Sequence, residues 1–113
     1  MAHAYSQTLE ADLADYLPAG SDPADIRISP LRALHLKGLP TAIIHTAEYD
    51  PMRDEGNAYA RKLLAAGVAV EHVCHDGMIH NFHAMSVVLP QARLVLSQIG
   101  EQVRRAVSPV MKP

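Results

Sequence analysis

Asp50 and His80 stand where a short chain would place the polar members of an acyl-transfer site. Asp50 closes an apolar run, Thr41–Ala47, and His80 lies in a loop that follows a valine-rich run, Val68–Cys74. In open sheets of parallel strands, functional side chains gather at the C-terminal strand ends. An acid after one strand and a histidine after the next is the chain order of the last two members of a Ser, Asp, His triad. The carboxylate accepts the histidine Nδ1–H and fixes the tautomer. It also stabilises the imidazolium that forms when Nε2 takes the serine proton. Taken alone, Asp50-Pro51 reads more readily as a turn that ends a strand and caps the next helix, and His80 as an ordinary loop histidine with no role.

Other residues compete for a chemical role. His72, His75, His80 and His83, with Cys74 and Asp76, fall within a dozen positions, and His80-x-x-His83 is a spacing that can meet zinc on a helix. On a strand, however, His72 and Cys74 share one face while Val73 and His75 share the other, so one convergent metal site is awkward and none is expected. The sequence holds no Gly-x-Ser-x-Gly elbow and no His-Gly-Gly-Gly segment. Ser6, Ser21, Ser29, Ser86, Ser97 and Ser108 all lack the strand–turn–helix setting that exposes a nucleophile.

The elements that must hold Asp50 and His80 read in the order helix, strand, helix, strand, helix. Tyr5, Leu9, Leu13, Tyr16 and Leu17 form one face of a first helix, expected to pack into a core, which Pro18 and Gly20 end. Gly20–Asp25 is a turn-rich linker, and Pro30 keeps Ile26–Leu36 irregular. Asp54 and Glu55 suit the N-terminus of the second helix, which runs through Tyr59, Leu63, Leu64 and Ala66 to a stop at Gly67. His75–His83 reads as an irregular loop. Pro90 opens a last helix whose apolar face is Val88, Ala92, Val95, Leu96, Ile99, Val103 and Ala106. Two strands joined by such a helix form a parallel βαβ unit with a right-handed crossover. The fold class is therefore α/β with a small parallel sheet, which looks unfinished beside the many-stranded sheets usual for this class.

The 113 residues allow one domain at most, or part of one, and 49% of them are hydrophobic, enough for a packed core. Ten Lys and Arg against twelve Asp and Glu give no reason to expect nucleic acid or an anionic membrane as partner. One cysteine cannot close an intrachain disulfide, the N-terminal segment does not read as a signal peptide, and no apolar run spans a membrane. These features predict a soluble cytoplasmic protein.

Several motifs sharpen the reading. Ser29-Pro30-Leu31, Gly38-Leu39-Pro40, the segment Ala47-Glu48-Tyr49-Asp50-Pro51-Met52-Arg53-Asp54-Glu55-Gly56 and Asp76-Gly77-Met78-Ile79-His80 follow one another across the chain. In order and separation they resemble the consecutive signatures of the hormone-sensitive-lipase-like esterases of the α/β-hydrolase fold. The resemblance implies a partial α/β-hydrolase fold over residues 1–113, the C-terminal part of such a domain. It makes Asp50 the triad acid and His80 the triad base of a carboxylic ester hydrolase, with no cofactor. The family's Gly after the histidine is Asn81 here, and Asn tolerates the left-handed backbone that such a turn uses. Three states of the protein are then open: a truncated product that is inactive alone, half of a split esterase completed by a chain bearing the serine, or a binding module reusing the scaffold. In the family's sheet Thr41–Ala47 sits between Val68–Cys74 and a strand that these residues do not include. The expected partners are therefore another copy of the chain, as a two-fold dimer, or a serine-bearing chain, with a small ester as substrate only after completion.

Overall fold

The computed structural model describes the backbone of residues 2–108 and the side chains of residues 9–108. Its elements are α1 (Ala2–Tyr16), a 3₁₀ turn (Pro30–Arg32), β1 (Ala42–Tyr49), α2 (Arg53–Ala65), β2 (Val70–Ile79), a second 3₁₀ turn (Phe82–Met85) and α3 (Pro90–Val107). The two strands pair in parallel, from Ala42 opposite Val70 to Ala47 opposite His75. The expected α/β class and βαβ order are therefore present.

Alternation along each strand sorts the side chains to two faces. Ala42, Ile44 and Val70 meet Leu63 of α2, together with Ala33, Leu36 and Val68. On the other face Ala47 packs with Phe82, and with Ala92 and Val95 of α3. The two helices thus cover opposite faces of the sheet. Helix α2 ends in left-handed Gly67, φ 80°. Gly67 N–H donates to Leu64 O and Val68 N–H to Leu63 O, both at 3.0 Å, which satisfies the last carbonyls and seats Val68 on Leu63. Lys62 Nζ donates to Leu31 O at 2.7 Å, tying the first 3₁₀ turn to α2.

Three expectations need correction. β2 does not stop at Cys74, because residues 75 to 79 continue the strand. Between Ala47/His75 and Tyr49/Ile79, β2 spends three residues, Asp76 to Met78, against Glu48 alone. This bulge absorbs Gly77, whose φ is 71°, and the Glu48 carboxylate accepts the Gly77 N–H at 2.6 Å. In α3 the buried face is Ala92, Val95 and Gln102, with Ile99 partly buried, while Val88, Leu96 and Val103 are exposed. A polar side chain replaces the expected valine because partners from both strands satisfy it. In α1, Leu13 and Tyr16 are exposed, so that stripe is not a core face over the described side chains, and Tyr5 lies outside them.

The radius of gyration is 16.4 Å, against about 13 Å for a compact domain of this length. Leu34, Val87, Leu94 and Val107 are all largely exposed. Among the described residues the sheet has two strands, so each keeps one edge without a neighbouring strand. No helix among them is long and apolar enough to cross a membrane.

Candidate active site

The parallel strands deliver Asp50 and His80 to one end of the sheet. Asp50 is the first residue after β1, and its N–H reaches back to Ala47 O at 3.3 Å. Its Oδ1 accepts the Met52 N–H at 2.8 Å, a turn in which the side chain fixes its own orientation. Its Oδ2 lies 2.7 Å from His80 Nδ1. A carboxylate only accepts, so His80 Nδ1 carries the proton and Nε2 presents a lone pair. The Asp50 side chain is 13% exposed and that of His80 62%, so the carboxylate is sheltered and the imidazole faces outward.

The backbone explains why His80 reaches that point. Asn81 adopts φ 61°, ψ 22°, the left-handed turn that its side-chain type tolerates. The chain then reverses into Phe82, which is buried against Ala47, Ala92 and Val95. Phe82 therefore anchors the His80 turn from below. A recess of about 140 Å³ opens beside the pair, lined in part by Thr46, Ala47, Asp50, His80, His83 and Ile99.

Sequence reasoning brought Asp50 and His80 together and missed a second histidine pair. His45 of β1 and His75 of β2 share a hydrogen bond, His45 Nδ1 to His75 Nε2, at 2.8 Å. His45 Nε2 is 2.8 Å from Gln102 Oε1, and Gln102 Nε2 donates to Glu71 Oε2 at 2.8 Å. Burial, and then the neighbouring charge of His45, pulls His75 below the ordinary histidine range, with Asp76 opposing. The available signal was the alternation of β2, which puts Glu71, Val73 and His75 on the α3 face. His72 points to the α2 face instead, with Nε2 3.3 Å from Thr46 Oγ1. Among the described residues, no group of three or more His, Cys, Asp or Glu converges as a metal set would.

Three serine hydroxyls are engaged by the backbone: Ser21 Oγ donates to Pro18 O, Ser29 Oγ to Pro23 O and Ser108 Oγ to Arg104 O. Among the described residues, no serine lines the recess beside His80.

Known proteins share this sequence and fold. A family model described as the alpha/beta hydrolase fold matches residues 2–84. Carboxylesterase NlhH of Mycobacterium tuberculosis is 42% identical over 88 residues, covering 74% of this chain and 27% of that protein. Ethyl acetate hydrolase of Pseudomonas putida is 35% identical over 100 residues, covering 88% of this chain and 31% of that protein. A hyperthermophilic esterase from the archaeon Pyrobaculum calidifontis superposes with a TM-score of 0.75 at 38% identity, over 80% of this chain and 29% of that one. The chain spans less than a third of the length of each of these relatives. On the family match, the alignments and the superposed βαβ frame together, this chain belongs to the alpha/beta hydrolase fold-3 family of carboxylic ester hydrolases.

Proposed function

We propose that the chain carries the acid and the base of a serine ester hydrolase, and that the serine comes from outside these 113 residues. The observation that carries this reading is the 2.7 Å bond from His80 Nδ1 to Asp50, which leaves Nε2 free and facing outward. In the reaction His80 Nε2 takes the proton of the incoming serine hydroxyl as its oxygen bonds to the ester carbonyl carbon. The same proton passes to the departing alkoxide as the C–O bond breaks. Water then repeats the sequence on the acyl-serine, with His80 again as base and then acid. Asp50 stays ionised throughout and holds the imidazolium.

The segment bearing the serine is proposed to seat on the open edge of β1, whether it belongs to the same polypeptide or to another. Without it, the same edge is proposed to pair with its own copy as a two-fold dimer, because unpaired strand edges template further strands. Sedimentation equilibrium at micromolar concentration tests the dimer, and a clean monomer of 12.3 kDa refutes it.

The central test is hydrolysis of a short p-nitrophenyl ester by this chain alone and after mixing with the serine-bearing portion of a related carboxylesterase. The chain alone is expected to be silent. The completed protein should turn over, and Asp50→Asn should lower its kcat by about 10⁴-fold, the scale seen when a triad acid is neutralised. Turnover by the chain alone that His80→Ala abolishes overturns the proposal, because a nucleophile then lies within it.

A further inference from the structure

With both imidazoles neutral, the row from Glu71 to His75 has only one consistent direction. Glu71 accepts from Gln102 Nε2 and also from Arg105 Nη2 at 3.1 Å. A carboxylate cannot donate, so the Gln102 amide nitrogen faces Glu71 and its carbonyl faces His45. His45 Nε2 must then carry a proton. Neutral His45 has its lone pair on Nδ1, so His75 Nε2 must donate to it. One carboxylate thereby sets the tautomer of two histidines through an amide that is 5% exposed.

The far end of the row touches the His80 turn. The rings of His45 and His75 lie nearly parallel, 10° apart in plane with centroids separated by 5.1 Å. The His75 ring is 5.1 Å from that of Phe82, the buried residue two positions after His80. His75 is therefore a wall of the pocket that holds Phe82, and its position is set by His45 and Gln102 rather than by apolar packing alone.

We propose that His45 and His75 are positioning residues for His80, holding its turn through Phe82 in a hydrogen-bonded row that accepts one added proton and no more. A proton on His75 Nδ1 leaves every bond of the row in place. A second proton would have to occupy His45 Nδ1, the lone pair that His75 already uses, and would set two cations edge to edge. The charged and titratable groups around the pair are Asp50 from the end of β1 and Glu71, Asp76 and His80 from β2 and its turn. His83 faces it from the second 3₁₀ turn, and Gln102 and Arg105 from α3.

The importance of positioning His80 rests on its proposed role as base, but the row is read without any turnover. The experiment is long-range ¹H–¹⁵N spectroscopy of ring-labelled histidines in the whole chain, from pH 8 to pH 5. His45 and His75 are expected in the Nε2–H form and His80 in the Nδ1–H form. His75 should take up its proton below the ordinary histidine value of 6.5. His75→Phe keeps an aromatic ring against Phe82 and removes the hydrogen bond. Helical circular dichroism should survive while His80 loses its Nδ1–H preference. Should that variant not fold, Gln102→Leu removes the orienting carbonyl and should bring the same loss. His45 in the Nδ1–H form overturns the row. An unchanged His80 tautomer in the folded variants overturns the positioning role. A completed esterase that fails to turn over would instead count against the base role and leave these spectra as they are.

Discussion

Gly56→Ala is expected to destabilise the chain although it places a better helix former inside α2. A Cβ at Gly56 would stand 2.7 Å from Thr46 Cγ2, and carbon pairs pack best at about 3.5–4.0 Å, so roughly 1 Å must be found. Thr46 cannot supply it freely. Its hydroxyl donates to Asn57 Oδ1 at 2.8 Å, and rotating the methyl away would break a bond worth about 0.5–1.5 kcal/mol. Overpacking of this kind costs about 1–3 kcal/mol, and replacing helical glycine by alanine returns about 1 kcal/mol. The net loss is therefore about 1 kcal/mol. Thr46→Ser removes the obstructing methyl and keeps the hydroxyl. In that background Gly56→Ala should change sign and stabilise by about 0.5–1 kcal/mol. Urea unfolding of the parent, both single variants and the double variant, followed by far-ultraviolet circular dichroism, gives the coupling directly. If Gly56→Ala stabilises equally in both backgrounds, with coupling under about 0.5 kcal/mol, the contact does not constrain the helix and the reasoning fails.

Three further outcomes follow from the same geometry. Leu63→Ala should cost about 2–5 kcal/mol in urea unfolding, because that side chain is fully buried between α2, both strands and the segment around Leu36. Asn81→Ala should cost about 1–2 kcal/mol through its left-handed backbone while Asn81→Gly is neutral or stabilising, and thermal unfolding of the two variants separates them. Stability should also fall with acid in two stages. His75 is held below its ordinary 6.5 on folding, so the unfolded chain binds that proton first. Its contribution is complete above pH 6.5 and is lost as pH drops towards the lowered value, and His75→Phe should flatten that part of the curve. Asp25 is lowered to about 2 by hydrogen bonds from the side chain and backbone of Arg27, so its smaller contribution is present above pH 3.8 and disappears towards pH 2.

What the sequence disclosed was whatever depended on neighbours along the chain. The β-branched run before Asp50 marks β1, Gly67 marks the end of α2, and Pro90 occupies the first turn of α3. The approach of Asp50 and His80 followed from two strand ends in one parallel unit. The features that escaped depend on residues distant in sequence. Gly77 looked like a loop residue because nothing local shows that Glu48, 29 positions earlier, accepts its amide and keeps it within the strand. Val103 looked like the core position of α3, yet Gln102 is buried there because His45 and Glu71 receive both ends of its amide. The stripe on α1 is apolar, and periodicity alone could not show that Leu13 and Tyr16 meet no core among the described residues. Pattern identifies an amphipathic face without saying what covers it.

The bulge in β2 reassigns the faces of the sheet near the site. Asp76, Gly77 and Met78 run opposite Glu48 alone, and Gly77 takes the left-handed backbone. Before the bulge, odd-numbered His75 meets Phe82 on the α3 face, and beyond it even-numbered Met78 packs on that same face with Ala47, Phe82, Ala92 and Val95. The alternation of β2 therefore shifts by one position across Gly77. A length change in Asp76–Met78 acts on which side of the sheet the following side chains take, as well as on how far the chain carries His80 towards Asp50.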